Sequence, residues 1–130
     1  MNEIEAFVRH HSIRHPELRR RVQWADIRSI AAREGLKISI LPMSRLGRLI
    51  NYEDEWEIQL SERLDAGTRA VVGMHELVHF WRDREEGPAF YSTEEWQPEP
   101  REDFANMVAW YCTSSAYEHY ARPEVSAQDE

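Results

Sequence analysis

Val72-Gly73-Met74-His75-Glu76-Leu77-Val78-His79-Phe80 sets a His-Glu-x-x-His pattern inside an apolar run, which predicts a helix with a buried face. Positions four apart on a helix lie one above the other, so His75 and His79 direct two imidazoles at one point in space. Neutral imidazoles suit Zn²⁺, which binds them at about 2.0–2.1 Å. Glu76 is turned by roughly 100° around the helix axis. It is therefore poorly placed as a third ligand and well placed to take a proton from a water that the ion polarises. With six histidines in the chain, chance yields such a match at roughly the 3 % level. The reading thus depends on a third ligand from another element and an open fourth position.

Working outward, Asp65 suits the N-cap of this helix, and its apolar pattern runs through Val71, Val72, Leu77, Val78 and Phe80 to Trp81. It should end before Gly87-Pro88, where a Pro- and Glu-rich loop leads to a final helix starting near Pro100, with Glu99, Glu102 and Asp103 at its positive end. Phe104, Met107, Val108 and Tyr111 form the apolar stripe of that helix. Upstream, Trp56–Leu60 and Arg48–Tyr52 alternate with period two around Glu53-Asp54-Glu55 and predict a hairpin, while Leu36–Leu41 reads as a further strand stopped by Pro42. The first third is helical. Ile4, Phe7 and Val8 mark a short piece, and Leu18, Val22, Ala25 and Ser29 mark a longer one entered at Pro16 and closed by Gly35. The expected fold class is α+β: N-terminal helices, a small three-stranded, mostly antiparallel sheet, the His-Glu-x-x-His helix and a following helix.

The 130 residues fit one domain, expected over residues 1–122, with a polar tail at 123–130. A net charge of −8 and a pI of 5.3 argue against direct nucleic-acid binding, which needs clustered Lys and Arg. The one basic cluster, Arg14, His15, Arg19, Arg20 and Arg21, reads as a solvated helix face. His10, His11 and His15 likewise read as a surface feature. Cys112 is the only cysteine, which excludes an intrachain disulfide and a Cys-based zinc site and suits a reducing compartment. No signal-like N-terminus and no run of about 18 apolar residues is present, so the expectation is a cytoplasmic protein with no membrane partner.

Among the carboxylates after His79, position selects. Asp83 stacks above His79 on the same helix and cannot converge well on a tetrahedral ion. Glu85 through Glu99 lie in or beside the loop, where they are held less rigidly. Glu102 stands on the next helix, on a face shared with Ala105, Asn106 and Ala109, and the small alanines permit close approach to the His75–His79 helix. Asp103 competes for the same role. Asn106, four residues after Glu102, is placed to accept the outer N–H of a ligand histidine and so to fix its tautomer.

His75-Glu76-Leu77-Val78-His79 followed by Glu102-Asp103-Phe104-Ala105-Asn106-Met107-Val108-Ala109 resembles the ImmA/IrrE-type metallopeptidases. These pair His-Glu-x-x-His with a downstream Glu-x-x-Ala-(Asn/Asp)-x-(apolar)-Ala helix in a gluzincin-like core, similar to this chain from about Gln23 to Thr113. The resemblance implies one Zn²⁺ per chain, held by His75, His79 and Glu102, with Glu76 as catalytic base and Asn106 in support. It also implies site-limited hydrolysis of a cytoplasmic transcriptional repressor in bacterial phage, mobile-element or stress regulation. Two features depart from the family. Trp110-Tyr111-Cys112-Thr113 stands where the family usually has a Leu-Leu-Met-Pro-like ending, and the full helix-turn-helix or sensor region that members often carry is not expected here.

Tyr91, Tyr117, His119 and Tyr120 are the candidates for a second donor to the oxyanion. An extended substrate is expected to pair with a sheet edge near the Trp56–Leu60 strand. The alternative reading is a non-catalytic zinc-binding interaction module of the same fold, against which Glu76 speaks, because a structural zinc site needs no base. A zinc hydrolase using His119 as third ligand ranks below Glu102.

Overall fold

A computed structural model describes residues 2–86 and 98–114. The expected tail at 123–130 and the candidates Tyr91, Tyr117, His119 and Tyr120 lie outside the described residues. The elements run α1 (Glu3–Ser12), a 3-10 helix (Pro16–Arg19), α2 (Trp24–Glu34), β1 (Lys37–Leu41), β2 (Gly47–Tyr52), β3 (Glu55–Ser61), α3 (Ala66–Glu86) and α4 (Pro98–Thr113). The fold class is α+β, with the N-terminal helices preceding a three-stranded sheet.

Local signals account for most boundaries. The Asn2 side chain accepts from Glu5 N–H at 2.8 Å, and the Glu5 carboxylate accepts from Asn2 N–H at 3.2 Å, which caps α1 reciprocally. Asp65 Oδ1 accepts from Thr68 N–H at 2.8 Å and caps α3. Gly35 closes α2 at φ 75, where its N–H reaches Ala31 and Ala32 carbonyls, a conformation that costs glycine least. Helix α4 begins at Pro98 rather than Pro100, which moves Glu102 into the second turn.

The long helix expected from Pro16 to Gly35 is instead two elements. Arg20 is extended at φ −142, ψ 177, and Val22 N–H donates to the Cys112 carbonyl of α4 at 2.8 Å. An uninterrupted helix would spend that N–H internally. Asp26 fastens the restart, taking both terminal nitrogens of Arg20 at 2.9 Å and the Gln23 N–H at 2.8 Å. The break resets the helical phase. Leu18 and Val22 are buried as expected, but Ala25 and Ser29 face solvent, and Asp26, Ile27, Ile30 and Ala31 face the core.

The strands order as β1-β3-β2. The predicted hairpin forms, with Leu49 opposite Ile58 and Asn51 opposite Trp56. The remaining pairing, Ile38 with Ile58 and Ile40 with Leu60, is parallel. The sheet is therefore mixed, with one pairing of each kind, rather than mostly antiparallel. The 42–46 connection crosses the end of β3, where Ser61 N–H donates to the Leu46 carbonyl at 2.9 Å and Ser61 Oγ donates to the Met43 carbonyl at 3.2 Å. That crossing puts β2 on the far side of β3.

Helix α3 is the centre of the core. Met74, Leu77, Val78, Phe80 and Trp81 are buried against Ile27, Ile30 and Ala31 of α2, Ile58 and Leu60 of β3, and Ala105, Val108, Ala109 and Cys112 of α4. Of the expected apolar stripe, Val108 is fully buried, Phe104 and Tyr111 are half-buried against the core, and Met107 is exposed.

The histidine cluster near the N-terminus is not a surface feature. His10 is exposed, but His11 and His15 are buried, and both rings stack on Trp81, at 4.1 Å and 5.6 Å between centroids. Arg33 donates to His15 Nδ1 at 2.8 Å, so the ring's own proton sits on Nε2 and is donated to Glu34 at 2.6 Å. The basic cluster accordingly loses His15 to the interior, while Arg14, Arg19, Arg20 and Arg21 remain exposed. No helix among the described residues is long and apolar enough to cross a membrane.

Candidate metal centre

One turn of α3 separates His75 from His79, and their Nε2 atoms stand 3.1 Å apart. The Glu102 carboxylate of α4 completes the group, with Oε1 3.0 Å from His75 Nε2 and Oε2 3.2 Å from His79 Nε2. A tetrahedral ion with bonds of about 2.0–2.1 Å holds its ligand atoms roughly 3.3–3.4 Å apart. Two imidazole nitrogens and two carboxylate oxygens gathered at nearly that spacing fit a divalent cation, and two imidazoles with one carboxylate are a donor set that Zn²⁺ accepts. The imidazoles are recessed while the Glu102 side chain is about half exposed, so one side of the group stays open.

The structure brings Glu102, and not Asp103, to the histidines. Buried Ala105 and Ala109 let α4 lie close enough to α3 for a glutamate to span the gap. Asn106 is exposed and, among the described residues, makes no hydrogen bond to either imidazole. Glu85, expected in or beside the loop, stands in α3. Asp83 takes a hydrogen bond from Arg101 at 2.5 Å, which ties α3 to α4 one turn above His79.

Glu76 is buried at 6 % exposure and faces the same cleft. Burial, and then the negative charge of Glu102, push its carboxyl up to about 7, with Arg45 opposing. Burial, and then the neighbouring His75, hold His79 below the ordinary imidazole range, which favours the neutral form that ligates metal.

The cleft encloses about 350 Å³ and is lined by Arg45, Gly47, Arg48 and Leu49 opposite His75, Glu76 and His79. These four residues escaped the sequence reading, because nothing in a short basic strand entry announces which helix it will face. The expected edge also moves. Strand β3 is central, with both sides paired, so β2 is the exposed edge beside the site. Gly47 sets its approach: a Cβ there would lie 2.7 Å from Val72 Cγ1 and 2.9 Å from Leu60 Cδ2. Compared with known proteins, the chain matches no family model, no curated protein and no solved structure.

Proposed function

We propose that the chain is a zinc-dependent endopeptidase of ImmA/IrrE type, acting on a protein substrate in the cytoplasm. The observation that carries the reading is the convergence of His75 Nε2, His79 Nε2 and the Glu102 carboxylate within 3.0–3.2 Å, beside a buried carboxyl that no ligand role requires. His75, His79 and Glu102 would hold one Zn²⁺ at this site. Such an ion supplies Lewis acidity, polarising a water and the scissile carbonyl.

The protein's own groups do the rest. Glu76 accepts the proton of the attacking water and returns it to the leaving amine, a role suited to a buried carboxyl in the same cleft as the two imidazoles. The open edge of β2 offers main-chain hydrogen bonds to an extended segment, which lays a peptide along the cleft. A flexible loop of a transcriptional repressor, of the kind found in phage, mobile-element or stress control, is the substrate class that the sequence resemblance suggests. The acidic balance of the chain, −8, is consistent with recognition of protein rather than nucleic acid.

The test is co-expression with candidate repressors and a comparison of Glu76→Gln with the unaltered chain. The variant is expected to retain zinc and lose cleavage by roughly 10²–10⁴-fold. Cleavage at an unchanged rate would remove Glu76 from the mechanism. Folded protein that takes up no zinc at this site would remove the reading itself.

A further inference from the structure

Around the other side of α3, the His11 ring is buried between α1 and α3. The residue is 7 % exposed, and its Nε2 has no hydrogen-bond partner among the described residues. Leaving such a group unsatisfied destabilises the fold. The ring cannot easily turn away, because it stacks on Trp81 at 4.1 Å and 15° and meets Phe7 at 4.5 Å. Its Nε2 lies 3.5 Å from Glu85 Oε2, which is close to the roughly 3.3–3.4 Å between two ligands of one tetrahedral ion. His10 lies edge-on at 4.8 Å between centroids, and ligating atoms of His10, His11 and Glu85 all fall within 4.8 Å of one another.

We propose that His10, His11 and Glu85 form a second transition-metal site, which takes Zn²⁺ or a similar divalent ion and clamps α1 to the C-terminal end of α3. A cation there supplies the partner that His11 Nε2 lacks. His10 and Glu85, both exposed, close on it from the rim with little rearrangement, and water completes the coordination. The nearby positive charge of Arg84 is engaged by Glu34 at 3.1 Å. Glu85 sits six residues past His79, roughly 9 Å along the helix and on a different face, so the two sites share a helix but no ligand.

The experiment uses the full chain carrying His75→Ala and His79→Ala, which removes the imidazole pair of the first centre, titrated calorimetrically with Zn²⁺ alone. One equivalent of Zn²⁺ is expected to bind and to raise the unfolding temperature. His10→Ala and Glu85→Gln, each at an exposed position, should weaken that binding at least tenfold and abolish the thermal shift. Should the double variant fail to fold, the unaltered chain gives the same comparison: His10→Ala then lowers the bound Zn²⁺ by one equivalent. No binding in the folded double variant, or binding indifferent to His10→Ala and Glu85→Gln, would overturn the proposal. Neither result touches the peptidase reading, which rests on His75, Glu76, His79 and Glu102.

Discussion

The Trp81 indole N–H donates to Glu34 across the α2–α3 interface at 2.9 Å, two residues beyond His79 on the same helix. Glu34 accepts from His15 at 2.6 Å and from Arg84 at 3.1 Å as well. One almost fully buried carboxylate thus fastens the 3-10 region, α2 and the second half of α3. The orientation of α3 sets the direction of His75 and His79, so this distant anchor bears on the site.

Trp81→Phe keeps most of the aromatic volume but removes the N–H, and it is expected to cost about 1–3 kcal/mol. Glu34→Ala strands the His15 and Trp81 donors together in the interior and should cost more, about 3–5 kcal/mol. Urea denaturation followed by tryptophan fluorescence measures both. Equal small losses would mean that the carboxylate is not the anchor.

Acid should act through the same group. Burial alone would raise the Glu34 carboxyl, but hydrogen bonds from Trp81 and His15, with the Arg84 charge, outweigh it and hold the group down to about 2. A depressed carboxyl stabilises the fold fully above its unfolded value near 4.5, and that stability is lost as pH falls through about 2. The difference corresponds to roughly 3 kcal/mol. Unfolding free energies of the unaltered chain and of Glu34→Gln, measured in metal-free buffer, should converge as pH drops below about 4.5. A constant gap down to pH 2 would contradict the assignment.

At the candidate metal centre, Glu102→Ala is expected to reduce zinc affinity severely, because two histidines alone fall short of the three protein ligands usual for a catalytic zinc. Asp103→Ala should leave affinity unchanged. Asn106→Ala should change it less than the 10–100-fold that follows loss of a bonded supporting residue, since Asn106 is exposed and, among the described residues, bonds to neither imidazole. Competition against a chromophoric chelator reads all three. A larger loss from Asp103→Ala than from Glu102→Ala would reassign the third ligand.

Ala105→Leu tests whether the small face of α4 delivers Glu102 to the histidines. Ala105 is 0 % exposed, and the added carbons must push α4 from α3 at a cost of about 1–3 kcal/mol. Zinc affinity should fall with stability. Retained affinity in a destabilised variant would show that Glu102 reaches the site independently of that packing.

What the sequence determined by itself was local. His75 and His79 lie on one helix face because four residues nearly complete a turn, and Asp65, Gly35 and the 53–55 turn mark boundaries through bonds made within a few residues. Alanines at 105 and 109 likewise marked the face on which α4 approaches α3. Tertiary structure decided whatever depended on a distant partner. The Cys112 carbonyl claims Val22 N–H and breaks the first long helix, which turns Ala25 and Ser29 outward. The crossing at 42–46 makes β2 the edge strand and brings Arg45 and Arg48 to the cleft. Trp81, some 70 residues along the chain from His11, draws that histidine and His15 out of solvent. Spacing along the chain encodes which residues share a face, but only packing selects what that face meets, because burial is determined by the combined surface of several elements at once.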